Sequence, residues 1–241
     1  SDGLLAAAGS GLATLGLPGA AGVPEAGAAP ATVLASNDPA SIDAVFAAHP
    51  GRIAAVITEA AGANTGVLKP DAGFNRALAA RAQQHGALLI LDEVLTGFRV
   101  GPAGWWGLEA DGTVPDGEGW TPDLVALGKV IGGGLPLAAV AGRAAHMSAL
   151  APEGPVYQAG TLSGNPIAVT AGLTTLRLAD AAAYERIATA SVTISDAVAA
   201  AFAAEGLPVT ISRAGSLFSL AFRDAPVRTA DDAKAQEAWR Y

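Results

Sequence analysis

The sequence predicts an α/β fold, a mainly parallel sheet flanked by helices that leads into the start of a small α+β C-terminal unit. Three observations predict it. Short apolar runs alternate with stretches of helical periodicity, which requires parallel strands joined by crossovers. Each apolar run ends on polar residues, as strands do where they meet the ligand-binding edge of an open sheet. Beyond Leu178 the order changes to helices followed by a strand pair, as if a second, smaller unit begins.

The elements follow in order. Residues 1–30, rich in Ala, Gly and Pro, read as an extended surface loop. Asn37-Asp38-Pro39 starts a helix, with Asp38 able to cap free N–H groups and Pro39 suited to the first helical position; Pro50 limits it to about Ala48. Arg52–Glu59 suits a strand buried on both faces. Asp71–His85 is helical, with Phe74, Leu78 and Ala82 on one face and Gly86 just past its end. Ala87–Asp92, Leu124–Lys129 and Leu137–Gly142 are three further strands. Residues 107–120, rich in glycine and acidic side chains, read as a solvated loop. Ile167–Leu178 and Ala182–Glu205 are helices, and Pro208–Ser212 and Ser216–Phe222 strands about an Ala214-Gly215 turn.

Composition removes several functions. The 241 residues suit one large domain, or one domain and part of another. With no Cys, thiolate metal sites, iron–sulfur clusters and cysteine nucleophiles are excluded, and the three His share no ligand spacing, so no metal is expected. A formal charge of −8 argues against nucleic acid as a partner. The longest apolar stretch, Leu124–Val140, is interrupted by Lys129, four glycines and Pro136, and no membrane association is expected from it. Ser1–Gly22 lacks the basic stretch of a signal peptide, so a cytoplasmic location is expected. The sequence starts without Met inside a loop and ends without a cap at Tyr241, as a piece of a longer chain would.

Chemistry is expected where strands end: Glu59 followed by Asn64, Asp92-Glu93, and Gly128-Lys129. Lys129 is one of only three lysines, and it stands between a predicted buried strand and Gly132-Gly133-Gly134. Apolar surroundings disfavour an ammonium and free the amine to act as nucleophile or base; a snorkelling surface lysine is the plain alternative. Asp92 ends the most apolar strand, where a carboxylate needs a cationic or N–H partner. Leu88–Glu93 also resembles the magnesium-binding strand of nucleotide hydrolases, but the chain has no G-x-x-x-x-G-K-[ST] phosphate cradle. Gly160–Pro166 opens a helix with hydroxyls at its N-terminus, apt equally for a phosphate and for ordinary capping. Trp105-Trp106 reads as a pair packing a loop over the sheet, and His49, His85 and His146 as capping or surface residues.

Leu91-Asp92-Glu93-Val94-Leu95-Thr96-Gly97-Phe98-Arg99, with Pro122-Asp123-Leu124 and Gly128-Lys129-Val130-Ile131-Gly132-Gly133-Gly134, resembles the core of class III pyridoxal-phosphate aminotransferases. Residues 7–18 and 154–166 resemble more specifically the aminomutase branch, which turns glutamate-1-semialdehyde into 5-aminolevulinate for tetrapyrroles. The likeness covers nearly the whole chain. It implies the fold-type I transferase architecture, with a partial cofactor-binding large domain over 1–178, of which 1–30 form a lid and loop region. Residues 179–241 would start a truncated small domain.

The resemblance implies pyridoxal 5′-phosphate as cofactor and a residue for each task. Lys129 would be the catalytic lysine that bonds the cofactor and shuttles protons between substrate carbons. Asp92 would pair with the pyridinium nitrogen, Val94 pack on the ring and Asn64 lie beside it. Thr161 would bind the cofactor phosphate from the neighbouring subunit of a homodimer. A class III ω-amino acid aminotransferase, or an inactive fragment of either enzyme, is the alternative. Four features depart from the family pattern: Glu59 is not followed by proline, the 107–120 loop is longer, the family's amino-terminal third with its phosphate-binding Gly/Ser/Thr turn and ring-stacking aromatic is not among the 241 residues, and neither is most of its C-terminal domain.

Overall fold

The computed structural model describes residues 31–64, 66–110 and 119–235. The expected lid and loop at 1–30 lie outside them. The described residues divide into two compact units: one from Asp43–Ala61 and Pro70–Thr189, the other from residues 31–42, 62–69 and 190–235.

The first unit is built on a four-stranded sheet of order β1-β2-β3-β4, with β1 at Ala55–Glu59, β2 at Leu88–Asp92, β3 at Leu124–Leu127 and β4 at Ala139–Gly142. Helix α1 (Pro39–Ala48) leads into it, and Asp38 Oδ1 accepts the Ser41 N–H at 3.2 Å as the capping signal required. Helix α2 (Phe74–Gln84) makes the crossover from β1 to β2 and buries Phe74, Leu78 and Ala82, the predicted face. Gly86 ends it at φ 70°, with the Ala87 N–H returning to the Ala82 carbonyl at 2.9 Å.

β1, β2 and β3 are parallel, with Ile57 opposite Ile90 and Glu59 opposite Asp92, then Ile90 opposite Leu124 and Asp92 opposite Ala126. β4 runs antiparallel to β3. Its connection from β3 holds only a one-turn 3₁₀ helix, Lys129–Gly132, too little to carry the chain back across the sheet for another parallel strand. Leu89 and Leu91 point to the covered face and are buried, whereas Ile57 on the opposite face is 58% exposed. This corrects the expectation for Arg52–Glu59: the strand is shorter, and only Val56 and Thr58, on the covered face, are even half-buried, because the face carrying Ala55, Ile57 and Glu59 is open.

A second correction concerns the loop at 107–120. Its start is helical, in α3 (Gly104–Ala110), where Trp105 and Glu109 are buried; residues 111–118 lie outside the described residues. The unit continues with the short α4 (Ala144–Met147) and with α5 (Pro166–Leu178), capped by Asn165, whose Oδ1 accepts the Ile167 and Ala168 N–H groups at 3.0 and 3.2 Å.

Helix α6 (Ala181–Ala204) runs from the first unit into the second. The second unit holds the antiparallel pair β5 (Thr210–Ala214) and β6 (Leu217–Ala221) and the short α7 (Ala230–Lys234). Arg213 on β5 donates to Ser195 Oγ at 2.7 and 3.0 Å and pairs with Asp196, tying the hairpin to α6. The 62–69 segment folds back through a Gly62–Leu68 bridge, and its Val67 N–H donates to Ser219 Oγ on β6 at 2.8 Å. By length and hydropathy α6 would suffice to cross a membrane. Its fully buried Ser195 hydroxyl and its bonds to Arg213 are those of a helix docked on a domain hairpin.

Candidate active site at the carboxyl ends of the parallel strands

The register of β1, β2 and β3 places Glu59, Asp92 and the Gly128-Lys129 corner at the same end of the sheet. Asp92 closes β2, half-buried, and its Oδ1 accepts the Val94 N–H at 2.8 Å. That bond turns the chain sharply, so Val94 stands in a turn and not on a continued strand. Val94 still reaches the site, from a different direction: a Cβ at Gly128 would lie 3.2 Å from Val94 Cγ1. The valine therefore lies against the backbone just before Lys129.

Lys129 opens the 3₁₀ turn with φ 43°, in the left-handed region. A non-glycine residue held there costs on the order of 1–3 kcal/mol and persists only where its surroundings over-determine it, which is characteristic of functional positions. The surroundings do so. Gly128 is packed on Val94, and past Lys129 the turn abuts α5: a Cβ at Gly172 would lie 2.0 Å from the Ile131 carbonyl oxygen. The lysine side chain is exposed, which corrects the expectation of apolar neighbours: β3 ends at Leu127 and the turn carries Lys129 outward.

Behind Asp92 lies a buried acid cluster whose extent the sequence did not disclose. Glu93 is 2% exposed and accepts from the Thr96 hydroxyl and from the Trp105 and Trp106 N–H groups at 3.1 and 2.9 Å, at the start of α3. Gly104, at φ 65°, lets that carboxylate approach; a Cβ there would lie 2.5 Å from Glu93 Oε2. Glu109 accepts from Trp105 Nε1 at 2.7 Å and from Asn75 Nδ2 at 3.0 Å. Burial pushes both carboxyls above their usual value, and the bonds they accept pull back only part of the way. The Trp105-to-Glu109 spacing of four residues was the one available hint, since it puts an indole donor over a carboxylate on one helix face.

Asn64 is exposed in the 62–69 segment, which belongs to the second unit. Thr161 is exposed in the turn that precedes α5. Among the histidines, His85 stacks on Phe46 with centroids 4.4 Å apart, and His146 lies 3.5 Å from Asp123, at the opposite end of β3 from Lys129.

The parallel α/β core thus presents an amine and a carboxylate at the same end of neighbouring strands. The chain belongs to the class-III aminotransferase family, whose model matches residues 2–238. The glutamate-1-semialdehyde 2,1-aminomutase of Cutibacterium acnes is 52% identical over 242 residues, covering all of this chain and 55% of that protein. The enzyme of the same name from Propionibacterium freudenreichii is 50% identical, covering 98% of this chain and 53% of its own length. The chain thus spans about half the length of the curated relatives it matches.

Solved structures agree on the fold. An omega-transaminase from Sphaerobacter thermophilus superposes with a TM-score of 0.79 at 30% identity, over 92% of this chain and 49% of that one. A glutamate-1-semialdehyde aminomutase from Pseudomonas aeruginosa PAO1 gives 0.74 at 29% identity, over 91% and 49%. The architecture is that of the fold-type I transferases, as the sequence predicted.

Proposed function

We propose that the chain is the central part of a glutamate-1-semialdehyde 2,1-aminomutase, an enzyme that moves an amino group within one substrate to give 5-aminolevulinate. The observation that carries the reading is Lys129 itself: a strained, exposed amine at the end of β3, beside the Asp92 that ends the neighbouring parallel strand. The identity of about half the residues with two aminomutases supports that branch over others.

The donor set fits pyridoxal 5′-phosphate, and a related aminomutase structure is described in complex with PMP. When bound, the cofactor supplies an electron sink conjugated to the carbon that loses a proton. Asp92 would hold the ring nitrogen in its protonated form, its carboxylate already oriented by the Val94 N–H. Val94 would pack against the ring. Lys129 would hold the cofactor through its amine and would carry a proton between the two substrate carbons that exchange the amino group. Asn64 would give a polar contact beside the ring, and Thr161 would bind the cofactor phosphate from the neighbouring subunit of a homodimer.

In this reading residues 1–178 form part of the large cofactor domain and 179–241 begin the small C-terminal domain. Residues 3–24, which the resemblance assigns to a lid, lie outside the described residues. The location is cytoplasmic.

The test is 5-aminolevulinate formation by the complete natural gene product from glutamate-1-semialdehyde, with no amino donor added. Turnover under these conditions, lost in Lys129→Ala, supports the proposal. Dependence on an added amine would instead identify a class III ω-amino acid aminotransferase; the Sphaerobacter relative is named an omega-transaminase.

A further inference from the structure

The 3₁₀ turn carrying Lys129 is held at both ends by glycine contacts. Before it, Gly128 accepts the Val94 side chain. After it, Gly133 sits at φ 58°, where a Cβ would lie 2.5 Å from Thr175 Oγ1 and 2.7 Å from the Ala171 carbonyl oxygen. From the helix side, Gly172 of α5 faces the Ile131 carbonyl so closely that a Cβ would be 2.0 Å from its oxygen and 3.2 Å from Leu137 Cδ2. The contacts with the Ala171 and Ile131 carbonyls are with backbone, which no rotamer change can relieve. Gly172 and Ala168, four residues apart, form the buried stripe of α5, while Thr174 on its other side is exposed.

We propose that Gly172, and Gly132 and Gly133 at the turn's end, are positioning residues: their bare α-carbons let α5 and Leu137 grip the Lys129–Gly132 turn and so fix the direction from which the Lys129 amine meets the cofactor. This rests on the reading of Lys129 as the cofactor lysine. A methyl group at 172 forces the Ile131 carbonyl away, and the displacement passes along two peptide units to Lys129, whose left-handed conformation has no slack to absorb it. Glycine at 172 thus holds a catalytic angle as well as a packing distance.

The experiment uses the complete natural gene product loaded with pyridoxal phosphate. Four substitutions are compared: Gly172→Ala, Gly132→Ala, Thr174→Gly and Lys129→Ala. Two quantities are read beside the melting temperature: the pH midpoint of the absorbance of the lysine-bound cofactor, and kcat apart from KM. Gly172→Ala should move the midpoint by about one pH unit, as a changed electrostatic setting does. It should lower kcat roughly 10²-fold with little change in KM, the scale of a 1 Å misplacement. Gly132→Ala, whose Cβ would meet Leu137 at only 3.3 Å, should shift both in the same direction by less, and it decides the matter if Gly172→Ala does not fold. Thr174→Gly weakens the same helix away from the turn and should lower only the melting temperature.

A midpoint and kcat unchanged in Gly172→Ala, or in Gly132→Ala where the former does not fold, overturn the positioning role while leaving Lys129 as the cofactor lysine. If the unsubstituted protein shows no lysine-bound absorbance, or Lys129→Ala retains it, the reading of Lys129 fails and this inference with it.

Discussion

Glu93 follows Asp92 directly, yet the two carboxylates live in different surroundings. Asp92 is half-buried at the strand end, whereas Glu93 is enclosed and accepts three hydrogen bonds. Burial raises the Glu93 carboxyl above its usual value of 4.5, so between that value and the raised one the folded chain holds a proton that the unfolded chain has released. Its contribution to stability is therefore complete below about pH 4.5 and is lost as pH rises through the folded-state value. Glu109 adds to the same trend, being raised by burial too. Urea midpoints measured from pH 4.5 upward should fall less steeply in Glu93→Gln than in the unsubstituted protein; parallel curves would contradict the assignment.

Asp92 and Lys129 were legible because each ends an apolar run, and the chain has few lysines to choose among. Glu93 was legible as part of the polar end of a strand, and Glu109 only as an acidic residue in a loop. Nothing in one sequence tells which loop carboxylate will be enclosed by a later indole and two later N–H groups.

At the scale of elements, the turns that aim the site depend on single residues, and their substitution separates local from global effects. Asn165 caps α5 by accepting two N–H groups, so Asn165→Ala should cost about 1 kcal/mol in urea unfolding. Gly104 is more demanding: it combines φ 65° with a Glu93 carboxylate against its α-carbon. Gly104→Ala should therefore cost roughly 1–3 kcal/mol from backbone conformation alone, and more if Glu93 cannot retreat. A loss within that range would mean that Glu93 is free to retreat, and a larger one that it is held in place. The helix starts at Pro39 and Pro166 were readable from local chemistry, since capping side chain and proline stand side by side in the sequence. The antiparallel sense of β4 was not, because it follows from how little chain separates it from β3. Helix α3 escaped notice because its seven residues include two glycines and its buried face is fixed by hydrogen bonds, not by an apolar stripe.

At the scale of the molecule, the first unit leaves much apolar surface exposed. Ile57 and Val140, on the two edge strands, are each 58% exposed. On α5, Ile167 and Leu178 are both more than 70% exposed, with Leu173 at 47%. The apolar run at β1 read as a strand buried on both faces because composition records what a segment is built to contact, whereas exposure depends on what is present to contact it. The relatives being about twice as long, that reading and the open face are compatible. Soluble monomers rarely leave contiguous apolar patches beyond a few hundred Å² uncovered, so the 241-residue chain on its own should self-associate. Its formal charge of −8 opposes association by repulsion that salt screens, the Debye length falling from about 30 Å at 0.01 M to about 8 Å at 0.15 M. Sedimentation velocity should accordingly show the weight-average mass rising with protein concentration and rising further with salt. Ile57→Ser with Val140→Ser should reduce both dependences without changing the far-ultraviolet circular dichroism, because neither side chain is buried in this chain. A chain that stays monomeric throughout, or whose mass falls as salt is added, would show that charge pairing and not the open apolar face governs its association.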